Sequence, residues 1–293
     1  MTTVIDEGVE RVKCNLCISD SIKLLYDFKR YKIVKCKKCG LVYLNPRPSS
    51  QELAKLYDKD YFGGNSINRD ITRQELINKL KSSRVVEGML QVKKVKQNGK
   101  LLDIGCGLGF FLKSAEKERY ECFGLEISEY SSNYARKKLG LNVKTGTLES
   151  VEYGKEEFDV ITLWQSLEHH PNPKYSLEKI HYMLKKNGLL FIELPNFNCL
   201  ASKWRGKRWE GLSIPTHFYH FTAKTIGELL WKAGFEVVKI NYHPLGIISR
   251  VLKSVEGSNN IFKLKEILGM VFPGWNMMII AKKCIKGEKE EVG

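Results

Sequence analysis

The 293-residue chain contains no run of roughly 18 consecutive apolar residues, so no transmembrane helix is expected. No apolar stretch fills Met1 to Lys13 either, where charged residues are mixed in. A secretory signal peptide is therefore not expected, and a cytoplasmic location is. Internal repeats are lacking, and low complexity is confined to the charged end, Lys286 to Gly293. Arginine is scarce, at 11 residues against 37 lysines. Bidentate recognition of phosphates and bases favours arginine, which weakens the nucleic-acid reading that a formal charge of +15 invites. That charge is also spread, with +4 in residues 1–45, +4 in 46–195 and +7 in 196–293. A solvated, lysine-rich surface is the bland reading of it. What the chain does have is 43% apolar and 11% aromatic residues, enough for one large packed domain and a small appendage.

The most informative stretch runs Leu101-Leu102-Asp103-Ile104-Gly105-Cys106-Gly107-Leu108-Gly109-Phe110-Phe111-Leu112. An apolar strand ends in an acid, passes three glycines spaced by two, and enters an apolar helix. Glycine there permits positive φ and lets the backbone approach a ligand closely. Such a strand-turn-helix places a small ligand at the carboxyl end of a parallel strand, against a helix N-terminus. The spacing differs from the dinucleotide pattern G-x-G-x-x-G, and no Lys-Ser or Lys-Thr follows as in a phosphate-binding P-loop. Asp103 would repel a pyrophosphate but suits a ligand carrying positive charge. Glu126 closes the next strand, about 20 residues past the glycines, where an acid accepts hydrogen bonds from ribose hydroxyls.

Apolar periodicity alternates between two and 3.6 from this point on. Strands are expected over 100–104, 121–126, 141–145, 158–164, 188–194, 235–241 and 276–282, with helices over 109–118, 128–139, 174–184 and 222–233. Regular alternation predicts an α/β, doubly wound parallel sheet. Upstream, Pro46 and Pro48 break the chain, and helices are expected over roughly 51–58 and 69–96. The predicted organisation is a cysteine-bearing segment over 1–45, a helical connector over 46–98, and the main domain over 99–285.

Four of the eight cysteines read Cys14-x-x-Cys17, then Cys36-x-x-Cys39-Gly40. Two C-x-x-C turns each aim two sulfurs at one point, the spacing of a tetrahedral zinc ribbon. Two disulfides or unrelated thiols are the alternatives, and a cytosolic setting disfavours the disulfides. Four thiolates would fill the coordination shell and leave the zinc structural.

Asp103 to Gly109 resembles the first motif of class I S-adenosyl-L-methionine-dependent methyltransferases. Glu193-Leu194-Pro195-Asn196, Gly234-Phe235 and the Leu167-Glu168-His169 triplet after the fourth strand resemble the same family. The likeness covers residues 99–283 and implies a Rossmann-like, seven-stranded sheet. It implies cofactor contacts from Asp103, Gly105, Cys106, Gly107, Gly109 and Glu126. Ile127 would cover the adenine, Thr147 and Leu148 would hold its edge, Gln165 would face the methionine moiety, and Glu168 and His169 would shape the floor of the cofactor pocket rather than do chemistry. Many members carry an acid where Thr147 stands, so here the contact falls to a hydroxyl or a backbone group.

Residues 197–221 interrupt the alternation and form the expected acceptor loop. Arg205, Arg208 and Trp209 suit an anionic or sugar-bearing acceptor, with core anchoring as the alternative for the tryptophans. His217 or His220 could serve as general base or could be structural. The cysteine ribbon, Gly40 to Pro48, the methyltransferase core and the His-rich loop together resemble methyltransferases of surface-polysaccharide and modified-sugar pathways. That resemblance implies a sugar or nucleotide-linked sugar acceptor, with Tyr57 and Tyr61 near it. An RNA methyltransferase and a non-catalytic cofactor-binding module are the competing readings. Against the first, the sequence lacks the Pro-Pro-aromatic run usual for base-amine methylation and a Pro-Cys nucleophile.

Overall fold

A computed structural model describes residues 3–6, 8–49, 51–53, 83–244 and 273–284. The elements before the main domain are β1 (Thr3–Asp6), β2 (Val9–Arg11), β3 (Ile22–Phe28), β4 (Tyr31–Cys36), β5 (Val42–Leu44), β6 (Arg47–Pro48) and α1 (Ser83–Val95). Then come β7 (Gly99–Ile104), α2 (Phe110–Lys117), β8 (Tyr120–Glu126), α3 (Glu129–Leu139), β9 (Asn142–Thr145), β10 (Phe158–Trp164) and α4 (Pro173–Met183). The remainder is β11 (Leu184–Pro195), α5 (Leu200–Arg205), β12 (Tyr219–His220), α6 (Ala223–Lys232), β13 (Phe235–Pro244) and β14 (Pro273–Lys283).

Seven strands form one sheet in the order β13-β14-β11-β10-β7-β8-β9. The central strands are apolar on both faces because helices cover both, as parallel strands require. Along each strand the faces alternate. Leu102, Ile104, Ile161 and Leu163 belong to one core cluster, and Leu101 and Val160 to the other. Helix starts follow their caps. Ser128 accepts from Ser131 N, Asn172 accepts from Tyr175 N ahead of Pro173, and Thr222 with Thr225 makes a capping box.

The sheet is mixed rather than purely parallel. Strand β14 lies between β11 and β13 and runs antiparallel to both. Periodicity counts strands but carries no direction, and an antiparallel neighbour needs no crossover helix. The fifth strand also starts earlier than its apolar run, since Leu184 already pairs with Phe158.

The N-terminal segment is not a detached appendage. Strands β3, β4 and β5 form a sheet whose fourth strand, β12, comes from the acceptor loop, with Tyr219 opposite Tyr43 and His220 opposite Val42. Cys14, Ile33 and Leu44 share one continuous core cluster with Phe218 and Phe235. Instead of a plain break, Arg47–Pro48 is a short strand paired with Val9–Glu10. Of the two expected connector helices, only residues 51–53 and 83–95 lie among the described residues, and Tyr57 and Tyr61 fall outside them. So do 245–272 and the charged end from 285. Among the described residues no helix is long and apolar enough to cross a membrane.

Candidate active site

The sheet's direction of winding reverses at β7, between β8 and β10, and a cavity of about 330 Å³ opens there at the strand ends. Gly105, Gly107, Glu126, Ile127, Thr147, Leu148, Gln165 and His169 line it, eight of the eleven residues expected at the cofactor. Asp103, Cys106 and Gly109 do not. Their side chains or backbone support the turn from behind.

The three glycines do three different things. All have positive φ, at 76°, 54° and 84°. A Cβ on Gly105 would stand 2.5 Å from Ser166 Oγ, and one on Gly109 would stand 2.6 Å from Leu141 Cδ1. A Cβ on Gly107 would meet no protein atom within 4 Å. Gly109 is thus a packing glycine at the cap of α2, whereas the space beside Gly107 is left for a ligand. Gly109→Ala is expected to cost about 1–3 kcal/mol of stability through overpacking, with cofactor affinity largely kept. Gly107→Ala, strained at φ 54° but free of clashes, should instead weaken binding of S-adenosylhomocysteine by calorimetry, with a smaller melting shift than Gly109→Ala. Equal losses from both variants would refute the division.

Glu126 is buried at the end of β8 and fixed by two backbone amides. Gly107 N donates to Oε2 at 2.8 Å and Ser128 N to Oε1 at 2.8 Å. Burial raises its pKa, and the backbone amides of Ser128, Gly107 and Ile127 pull against that shift. A carboxylate has about four acceptor positions, so two remain for hydroxyls of a ribose. Ile127 is half-exposed at the mouth and offers an apolar face. Thr147 N donates to Ser150 Oγ at 2.9 Å and the Thr147 hydroxyl donates to the same oxygen at 3.5 Å, so both donors at that position face Ser150.

Asp103 sits one layer deeper and accepts a 2.7 Å hydrogen bond from Thr162 Oγ1. Burial pushes its carboxyl up to about 7, opposed by the Thr162 bond and reinforced by Glu126. The folded state therefore keeps a proton there that the unfolded chain releases near ~4. The resulting stability is fully present below that unfolded value and is lost as the pH rises towards about 7. The loss is on the order of 4 kcal/mol. Asp103→Asn keeps the Thr162 contact and should flatten urea midpoints between pH 4 and about 7.5. An unchanged slope would assign the effect elsewhere.

The acceptor-side expectations fare differently. His217 and His220 do not line the cavity. His217 Nδ1 donates to Gly211 O at 2.9 Å, and burial lowers its pKa. His220 is 3% exposed on β12 beside Phe197, and burial with the neighbouring His217 pushes it down to about 3. A base so reluctant to take a proton is poorly matched to neutral pH. Trp209 is a core residue packed between Phe197 and Trp275. Arg205 stacks over Trp275 and pairs with Glu210, while Arg208 is exposed. None of the three lines the cavity, because short 3-10 turns at Gly206–Arg208 and Glu210–Leu212 fold the loop onto α5 and β14 instead.

The far wall of the cavity is built from Leu53, Trp164, Ser166, His170 and Pro171. Sequence reasoning named no role for these. For Trp164, Ser166, His170 and Pro171 the signal was their place at or just past the end of β10, the strand beside β7; Leu53 carried none. Ser166 Oγ contacts His170 Nε2 at 3.2 Å, and His170 Nδ1 contacts Ser176 Oγ at 2.8 Å. Burial holds His170 down at about 4, so it is a neutral scaffold for this turn. Gln165 adopts φ 54° and donates to Glu193 Oε1 at 3.1 Å. The turn is tied to the acceptor loop by Phe218 N donating to Glu168 O at 2.9 Å and His169 Nδ1 to Thr216 O at 3.0 Å.

Cys14, Cys17, Cys36 and Cys39 converge as free thiols whose sulfurs all lie within 4.8 Å of one another. The contacts Cys14–Cys39 and Cys17–Cys36 are 3.4 and 3.5 Å. A zinc tetrahedron with bonds of ~2.3 Å has edges of about 3.8 Å, so the donor set fits the ion. Each knuckle closes with a residue at positive φ, Ile18 at 61° and Gly40 at 80°. Burial raises Cys39 to about 11, whereas amide and thiol hydrogen bonds outweigh burial at Cys36 and lower it to about 7.

The fold is that of the S-adenosyl-L-methionine-dependent methyltransferases. A crystal structure of one from Mesorhizobium loti covers 70% of this chain and 100% of its own, at TM-score 0.53 and 16% identity. Another, from Archaeoglobus fulgidus, covers 72% and 100% at TM-score 0.52 and 25% identity. The chain belongs to the methyltransferase domain family, whose model matches residues 76–240, and it is an S-adenosyl-L-methionine-dependent methyltransferase. An uncharacterized protein of Methanocaldococcus jannaschii is 27% identical over 210 residues, 64% of this chain and 74% of its own. A ubiquinone biosynthesis O-methyltransferase of Coxiella burnetii is 26% identical over 159 residues, 50% and 68% respectively.

Proposed function

We propose that this methyltransferase acts on a small-molecule acceptor, a sugar or nucleotide-linked sugar being the first class to try, and that the four cysteines hold a structural zinc. The observation that carries the reading is how the acceptor loop is tied down beside the cavity. Strand β12 is stitched both to the cysteine-bearing sheet and to the turn after β10, so the cavity is walled by packed side chains. A duplex or folded RNA would need a broad open groove.

Within this reading Glu126 orients the ribose, Ile127 and Leu148 flank the base, and Gly107 gives the cofactor backbone-close access. The sulfonium supplies the reactive methyl group when bound, and the chain's task is to align an acceptor with it and exclude water. The surface-polysaccharide likeness of the N-terminal layout supports a glycan, while the Coxiella relative is by name an O-methyltransferase. A labelled-methyl screen across nucleotide-sugars, lipid-linked glycans, quinone precursors and RNA tests the proposal. Label in a small-molecule fraction is expected. Label in RNA alone would overturn it.

A further inference from the structure

Beside the cavity lies a second group of metal-ligating side chains, separate from the cysteines. Glu168, His169 and His217 each bring one ligand atom to within 4.8 Å of the others. The first two stand on the turn after β10, and His217 stands on the acceptor loop. The Phe218 N to Glu168 O hydrogen bond of 2.9 Å holds the two segments in register. The imidazole rings meet edge to face with centroids 4.6 Å apart.

Tautomers decide what these rings offer. His169 Nδ1 lies 3.0 Å from Thr216 O and His217 Nδ1 lies 2.9 Å from Gly211 O. A carbonyl can only accept, so each Nδ1 carries the proton and each Nε2 keeps its lone pair. Metal-ligating histidines show this pattern, with the outer N–H on a backbone carbonyl fixing ring and tautomer. A third imidazole points the same way. His220 is buried next to His217, and its Nε2 has no partner among the described residues.

We propose that Glu168, His169 and His217 form a two-histidine, one-carboxylate site for a divalent first-row transition ion at the acceptor end of the cavity. His169 belongs to both the cluster and the cavity wall, so the ion's open positions come within reach of an oxygen donor on the acceptor. Bound there, an acceptor hydroxyl becomes more acidic. Its proton leaves to water as the oxygen–carbon bond forms, the sulfur–carbon bond breaks, and the electron pair returns to sulfur. The role of the ion rests on the proposed acceptor side of the cavity; the site itself does not.

The test uses full-length protein whose thiolate-bound metal has first been quantified. It is titrated with Co2+ and followed by visible absorption. One weakly absorbing Co2+ per chain, without a thiolate charge-transfer band, is expected. His217→Ala and Glu168→Gln should weaken that binding at least ~10-fold. Both should leave S-adenosylhomocysteine affinity and cysteine-bound metal unchanged. Should one variant fail to fold by thermal melting, His217→Asn supplies the comparison. Absence of a second bound ion at millimolar Co2+, or equal binding by His217→Ala, would overturn the site. Loss of S-adenosylhomocysteine binding in the unaltered protein would instead overturn the reading of the cavity.

Discussion

Replacing Glu126 by Gln is expected to lower the affinity for S-adenosylhomocysteine about 100-fold, with the fold intact. The carboxylate accepts from Gly107 N and Ser128 N at 2.8 Å each, one bond to each oxygen. Gln keeps the shape but turns one oxygen into a donor. That NH2 must then face one of the two amides, and a buried donor left without an acceptor costs about 1–3 kcal/mol. It also withdraws an acceptor from the ribose, and a hydrogen bond to a charged group contributes about 1.5–3 kcal/mol. The first cost is present with and without ligand and shows in the melting curve, whereas the second alone sets the affinity loss, up to about two decades. Calorimetry on the variant, with a melting curve as control, decides the matter. Unchanged affinity would show that the ribose is held elsewhere.

Cys36→Ser is expected to abolish stoichiometric zinc and to lower the melting temperature by ~10 °C. It should stop methyl transfer while the cofactor still binds. A structural zinc site contributes several kcal/mol to folding, and one missing thiolate forfeits much of it. The damage should travel because β5 carries β12 as its neighbour. It has a second route through Arg47, whose Nη1 donates to Pro171 O at 2.6 Å, a residue of the cavity wall. Tyr219 Oη donates to the same carbonyl at 3.1 Å. Elemental analysis, thermal melting and calorimetry on one preparation read all three effects. A variant that loses zinc yet keeps full turnover would show that the cysteine ribbon does not position the acceptor side.

Local signals were enough for much of the chain. Apolar periodicity placed each of the seven strands of the main sheet to within a few residues. The glycine turn and Glu126 identified the strand ends at which the cavity opens. The cysteine spacing anticipated the convergence of four sulfurs. These features are short-range: a run of side chains on one face, a turn needing positive φ, two thiols on one knuckle. Such properties are fixed by neighbours in sequence, whatever the rest of the chain does.

Long-range pairing decided the remainder. Nothing near Cys106 or Gly109 in sequence says that Gly124 packs against one and Leu141 against the other, so both looked like ligand contacts. Trp209 and the arginines beside it had the composition of a binding loop, and only the packing against Phe197 and Trp275 made Trp209 part of the core. The direction of β14, the union of β12 with the cysteine-bearing sheet, and the meeting of Glu168 with His217 across 49 positions also came from tertiary contacts. By itself the sequence determined the strands, the cofactor turn and the two knuckles that bring the cysteines together, because each depends on residues close along the chain. Which side chains line the cavity was decided only by the fold, since burial and proton affinity depend on neighbours brought together from distant segments.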